Sequence, residues 1–294
     1  MTTATLLALS PCGWDELWPL IEDIPGRQRW AHQASAQTAG SILSLAFPHW
    51  ANELAGGRLT RQRCMELQRV QGFVLSLVQA HDVLIDGEEP PEDAAAHLLP
   101  LGLEVQRELA RFFPMAHDFW DQYARLLREQ AESARWEQRA RKRPERKLDA
   151  PLVERLGRKG ALLRWPAFAV CALSGVPQRA ALVERQLGRL LSVLQLLDDT
   201  LDYAEDAASG QPNGVLAALG GAPKPAWALH ARAPAGIAAA RDAASYVLAL
   251  IRAEAGDALA PLLAHLKARL ARAARVASAQ ARARAAQAML AELI

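Results

Sequence analysis

Apolar and polar positions alternate with a helical period along most of this chain, and no strand-like alternation of useful length interrupts it. Residues 14–54 read as a short and a long helix, separated at Pro25-Gly26, with Pro48 kinking or ending the second. Gly56-Gly57 reads as a loop. Thr60 then caps a helix from about Arg61 to Asp86, and Gly87-Glu88-Glu89-Pro90-Pro91 stops it. Further helices are predicted over 92–112, 115–142, 149–174 and 178–208, with Gly175-Val176-Pro177 dividing the last two. Residues 209–236 are rich in Gly and Pro and read as the longest loop, a kind of segment that often carries function. Residues 237–293 read as Ala/Arg/Leu helix with a break between Gly256 and Pro261. No repeat and no linker is visible. The economical reading is a single all-α domain over residues 1–294.

Composition strengthens this picture. Hydrophobic residues make up 51% of 294, enough for a large core, and Ala and Leu dominate over β-branched types. A formal net charge of +2 gives no reason to expect nucleic acid as a partner. Cys12, Cys64 and Cys171 are odd in number and far apart, so they form neither a disulfide framework nor a zinc pattern and read as reduced thiols of a cytoplasmic protein. The N-terminus has no basic stretch of the signal-peptide kind, and no uncharged apolar run reaches the ~18 residues of a membrane span, so stable membrane insertion is not expected.

The chemistry is concentrated in two acidic clusters. The run Leu194-Gln195-Leu196-Leu197 leads into Asp198-Asp199-Thr200-Leu201-Asp202-Tyr203, with Asp206 beyond. Asp198, Asp202 and Asp206 stand at i, i+4 and i+8, which puts three carboxylates in a row on one helix face. Like charges so placed destabilise a bare helix, and Mg²⁺, a hard cation that shares its shell between carboxylates, phosphates and water, is the simplest compensation. About one hundred residues upstream, Asp82 and Asp86 end another apolar helix at i, i+4. Two such helix ends facing each other would hold several Mg²⁺ ions and one diphosphate.

These residues resemble a known family. Gln195-x-x-Asp198-Asp199-x-x-Asp202 resembles the second aspartate-rich motif of trans-polyprenyl diphosphate synthases. Lys159 lies about forty residues before it, where that family has a Lys-Thr pair. Asp82 and Asp86 resemble the first aspartate motif of the wider class I isoprenoid synthase superfamily, which includes terpene cyclases and squalene/phytoene synthases. The resemblance covers roughly residues 60–215. It implies an α-helical bundle around a central apolar cavity, with the aspartates at its mouth. About three Mg²⁺ ions, held by Asp82, Asp86, Asp198, Asp199, Asp202 and Asp206, would bind an allylic diphosphate and draw it off. Lys159, Arg158 and Gln195 would contact the diphosphate or the metal shell, with Arg164 and the 139–147 cluster as weaker cations. Phe73, Phe119, Trp120, Trp165, Phe168 and Tyr203 would face the resulting carbocation.

The sequence also departs from the chain-elongating members. Asp86 is followed by Gly-Glu-Glu-Pro-Pro where they carry an Arg-Arg pair, the N-terminus offers only basics such as Arg27 and Arg29, and Gly210-Gln211 stands for their Gly-Lys. The isopentenyl diphosphate site is thus missing while the ionisation site is kept. This favours a terpene synthase acting on one prenyl diphosphate, by cyclisation or elimination. The second motif lacks the Ser and Glu usual in terpene synthases but keeps their i, i+4, i+8 spacing. The alternatives are a prenyltransferase or condensing synthase, and an inactive binding subunit of the same fold. Simpler readings stand beside these: an i, i+4 acidic pair on a solvated helix face, Lys159 as a surface lysine, His81 and the aromatics as core, and 139–147 as a solvated loop. The C-terminal helix reads as scaffold or homodimer contact, with a basic face able to touch acidic membranes.

Overall fold

The computed structural model describes residues 43–86, 91–223 and 225–293, and every regular element among them is helical. Residues 43–45 are helical, a turn follows at Ala46, and α1 (Phe47–Ala55) opens with Pro48 in its first turn, where its fixed φ fits, so the helix breaks beside this proline as expected. The rest of that expectation, over 14–42, lies outside the described residues. Gly56 and Gly57 take φ of 104° and 66°, which side-chain-bearing residues rarely adopt, and so end α1. Thr60 then caps as expected, its Oγ1 accepting the Arg63 N–H at 3.2 Å, and α2 (Arg61–Asp86) follows. The chain continues through α3 (Pro91–Ala110) and α4 (Phe119–Lys142) to α5 (Ala150–Gly157), capped by Asp149 accepting from Leu152 N–H at 3.1 Å.

The helix expected over 149–174 is broken in three. Gly157 and Gly160 weaken the helix and Pro166 cannot donate to it, so Arg158–Arg164 winds as a 3₁₀ segment before α6 (Pro166–Leu173). Next come α7 (Ala180–Ser209), the short α8 (Gly214–Ala218), α9 (Ala226–Ala255) and α10 (Ala260–Leu293). The expected loop at 209–236 is therefore shorter than predicted, because α9 takes Pro234 into its interior. No helix among the described residues is long and apolar enough to cross a membrane.

The chain divides into two compact units, neither contiguous in sequence. One holds the described residues up to Ala131 together with Gly160–Leu187; the other holds Glu132–Lys159 and the chain from Gly188 onward. In the first, α1 packs on α2 and α6, and α2 packs on α3. Its core is aromatic: Phe113 and Phe119 stack at 4.1 Å, and Phe119 meets the fully buried Trp165 edge-on at 6.4 Å. Phe119 and Trp165, expected to line a cavity, are thus packed among other rings. In the second unit α9 lies along α10 and α8 sits on α9. A Cβ on Gly157 would come 2.9 Å from Ser192 N and 3.0 Å from Gly188 O, so only glycine lets α5 meet α7 this closely. That contact brings Lys159, two residues on, to the acidic part of α7.

Candidate functional site

Apolar positions of α7 such as Val193, Leu196 and Leu197 are buried, which fixes the helix's rotation and hence the direction of its aspartates. Asp198 is open to solvent, Asp202 and Asp206 are half-buried, and Asp199 is buried at 1% exposure. The oxygens of Asp199 are engaged within the unit. Gln195 Nε2 donates to Oδ1 at 2.9 Å, and the Gly214 N–H donates to Oδ2 at 2.6 Å. Asn213, buried before α8, ties the row together. Its Nδ2 donates to the Asp199 carbonyl at 2.9 Å and to Asp206 Oδ2 at 2.7 Å, while its Oδ1 accepts from the Val215 and Leu216 N–H groups.

Lys159 supplies positive charge. Its Nζ lies 2.6 Å from Glu137 Oε1, with both side chains mostly buried. Burial works against its charge, but Glu137, Asp199 and Asp206 outweigh that and hold its pKa above the ordinary lysine value. One cation does not neutralise the row. Burial, then Asp202 and Asp199, push Asp198 up to about 7, against the pull of Lys159. Water reaching Asp198 screens part of that shift. Asp199 carries its own more fully: burial takes it to about 7 although Lys159, Gln195 and Gly214 all favour its charge. Burial likewise takes Asp206 to about 6, against its bond from Asn213 and the charge of Lys159.

The structure therefore brings Asp198, Asp199, Asp202, Asp206, Gln195 and Lys159 together in one unit. Arg158 is exposed and pairs with Glu154 at 2.5 Å, one turn back along the chain. Arg164 belongs to the other unit, where it bridges Glu129 at 2.5 Å and Glu184 at 3.3 Å. Asp82, half-buried, and Asp86 end α2 in that same unit; of the Asp86 side chain nothing is described. Among the described residues, no three His, Cys, Asp or Glu side chains converge into a ready-made metal cage.

The sequence does not single out several residues found around this row, Glu137 among them. Asn213 and Gly214 stand in Gln-Pro-Asn-Gly, a turn signature that was legible. Arg269 and His265, one turn apart on α10, carry no motif. Asp198 supports the charge of Arg269 while burial lowers its pKa, and Arg269 Nη1 is buried with no hydrogen-bond partner among the described residues. His265 Nε2 is buried and unpartnered in the same sense, and burial, then the charge of Arg269, lower its pKa. Comparison with family models, with curated proteins and with solved structures finds no match to this chain.

A carboxyl whose folded pKa lies above its unfolded value of 3.8 binds its proton more tightly when folded, so it costs stability as pH rises through that interval. Lys159 stays charged in both states there and adds no slope. Without metal these carboxyls lower stability as pH rises from about 5 to about 8, against the rise contributed by the lowered pKa values of His49, His230 and His265, so over that interval Tm in Asp198→Asn is expected to fall less, or rise more, than in the unchanged chain. Mg²⁺ should raise Tm more at the higher pH. Thermal melts at both pH values check this; an equal slope in the variant, or no Mg²⁺ increment, would count against it.

Proposed function

We propose that this chain is a class I isoprenoid synthase of the terpene-synthase type, which ionises one prenyl diphosphate with Mg²⁺ and ends by cyclisation or elimination. The supporting observation is the carboxylate row of α7: Asp198, Asp202 and Asp206 on one face, with the buried ammonium of Lys159 and the Arg269 guanidinium acting on it. Its donors are hard carboxylate oxygens, which suit Mg²⁺. The incomplete cage suits it too, because Mg²⁺ is commonly held by one or two carboxylates and completed by substrate phosphates and water. Asp198, Asp202 and Asp206 would hold metal, as would Asp82 and Asp86 from the other motif. When bound, Mg²⁺ supplies Lewis-acid withdrawal of charge from the leaving diphosphate.

The chain's own residues do the rest. Asp199, with its oxygens engaged, is a positioning residue, and Gln195, Asn213 and Gly214 hold it. Lys159 is a fixed cation for the developing negative charge. Arg269, whose charge Asp198 favours and whose buried Nη1 has no hydrogen-bond partner among the described residues, is a further donor for a diphosphate oxygen.

A second diphosphate has no matching set of cations in the sequence, and burying it without them would be costly. One prenyl diphosphate should therefore suffice. Incubated singly with C10, C15 and C20 substrates, the protein is expected to give a diphosphate-free product that partitions into hexane. Added isopentenyl diphosphate should not lengthen it. A longer diphosphate, formed only when isopentenyl diphosphate is present, would select the prenyltransferase reading instead.

A further inference from the structure

The outer face of α10 has a composition that its packing does not explain. Its inner stripe, including Leu266, Leu270, Ala277 and Ala281, is buried, and α10 packs on α9. On the opposite face Arg272, Arg275 and Arg282 are exposed, and Val276, Met289 and Leu290 stand among them at 45%, 49% and 59% exposure. At about 100° per residue these six fall within an arc of roughly 140°, on the side of the helix opposite the buried stripe. No acidic residue occurs between Asp257 and Glu292. A solvated helix face would carry acids to balance its arginines and would not set Val276, and then Met289 and Leu290 side by side in the last turn, among them.

We propose that this face of α10 docks on an anionic lipid surface. The arginines meet lipid phosphates with their head groups while their stems lie along the interface. Val276, Met289 and Leu290 enter the boundary between head groups and acyl chains. From Arg272 to Leu290 the face is about 27 Å long, so the helix lies in the plane of the interface and does not cross it. A second copy of this chain fits the face poorly, since it would bring six arginines together with no acid between Asp257 and Glu292 to offset them. Nucleic acid would satisfy the arginines but gives the three apolar side chains nothing to bury against. Nothing in this placement depends on the carboxylate chemistry of α7.

Co-sedimentation of the full chain with vesicles tests this. Vesicles of phosphatidylcholine with about 30% phosphatidylglycerol should carry the protein down, and pure phosphatidylcholine vesicles should not. Reversing charge in the triple variant Arg272→Glu, Arg275→Glu, Arg282→Glu should weaken binding by more than about 100-fold, since losing three arginine charges alone is on the order of fivefold each. Met289→Ser with Leu290→Ser, which leaves the charge unchanged, should weaken it about tenfold. Arg269 and Arg284 are left alone, because one faces Asp198 and the other bonds Tyr203. Thermal melts of each variant confirm folding, and an unfolded triple variant is replaced by Arg272→Gln with Arg275→Gln. Failure to bind anionic vesicles would overturn the proposal, and so would binding that survives charge reversal. It would also be overturned by equal retention of wild type and the Met289/Leu290 variant on vesicles and duplex DNA, or by a salt-stable dimer that the triple variant splits.

Discussion

Asp198→Asn is expected to slow metal-dependent pyrophosphate release by at least ~100-fold, the scale of losing one strong electrostatic contact at a reacting centre. The substitution keeps the shape of the side chain and removes its charge. Asp198 is the member of the row that opens to solvent, and Lys159, Asp199, Asp202 and Asp206 all influence its charge. Partial burial, then the like charge of Asp202 and Asp199, raises its pKa, and water reaching it weakens that shift; removing the negative charge relieves the remaining repulsion, so Tm should stay the same or rise. Loss of turnover with retained stability separates a ligand from a structural residue. The same loss is expected for Asp82→Asn in the other motif. Turnover and melting measured on both variants check this. Unchanged turnover in both would return the aspartates to solvated helix faces.

Lys159→Met should have the largest effect on folding. It leaves Glu137, whose side chain is 11% exposed, as a buried carboxylate that has lost its 2.6 Å partner, and it removes the one ammonium that favours the charge of Asp199. Breaking a buried pair from one side costs about 3–5 kcal/mol. Denaturant melts should show that loss in the single variant. The double variant Lys159→Met with Glu137→Gln should recover much of it, because no uncompensated charge then remains at that position. A loss below ~1 kcal/mol in the single variant would place Lys159 among surface lysines, whose ion pairs contribute little.

Local signals in the sequence were the legible ones. Thr60 capping α2, the paired glycines ending α1 and the row on α7 all rest on interactions within one turn of helix, which one stretch of sequence contains. Lys159 was legible only by its spacing from Asp198; what makes it a buried cation is Gly157, whose missing side chain lets α5 approach α7. The breaks inside 149–174 and the helix running through Pro234 went the other way from local rules. There, surrounding packing decides whether a proline or glycine ends a helix. Arg269 lies in a monotonous Ala/Arg/Leu stretch some seventy residues from Asp198, which favours its charge, and only the packing of α10 reveals it and its neighbour His265. The division into units was hidden for the same reason: each is assembled from separated segments, with no linker composition between them.

The most direct measurement is pyrophosphate release from C10, C15 and C20 prenyl diphosphates with Mg²⁺, with EDTA, and with Mg²⁺ restored after EDTA. Release with Mg²⁺ from at least one substrate, abolished by EDTA and recovered on restoration, is the predicted result. Full release in EDTA, or none from any substrate with Mg²⁺, would contradict the account.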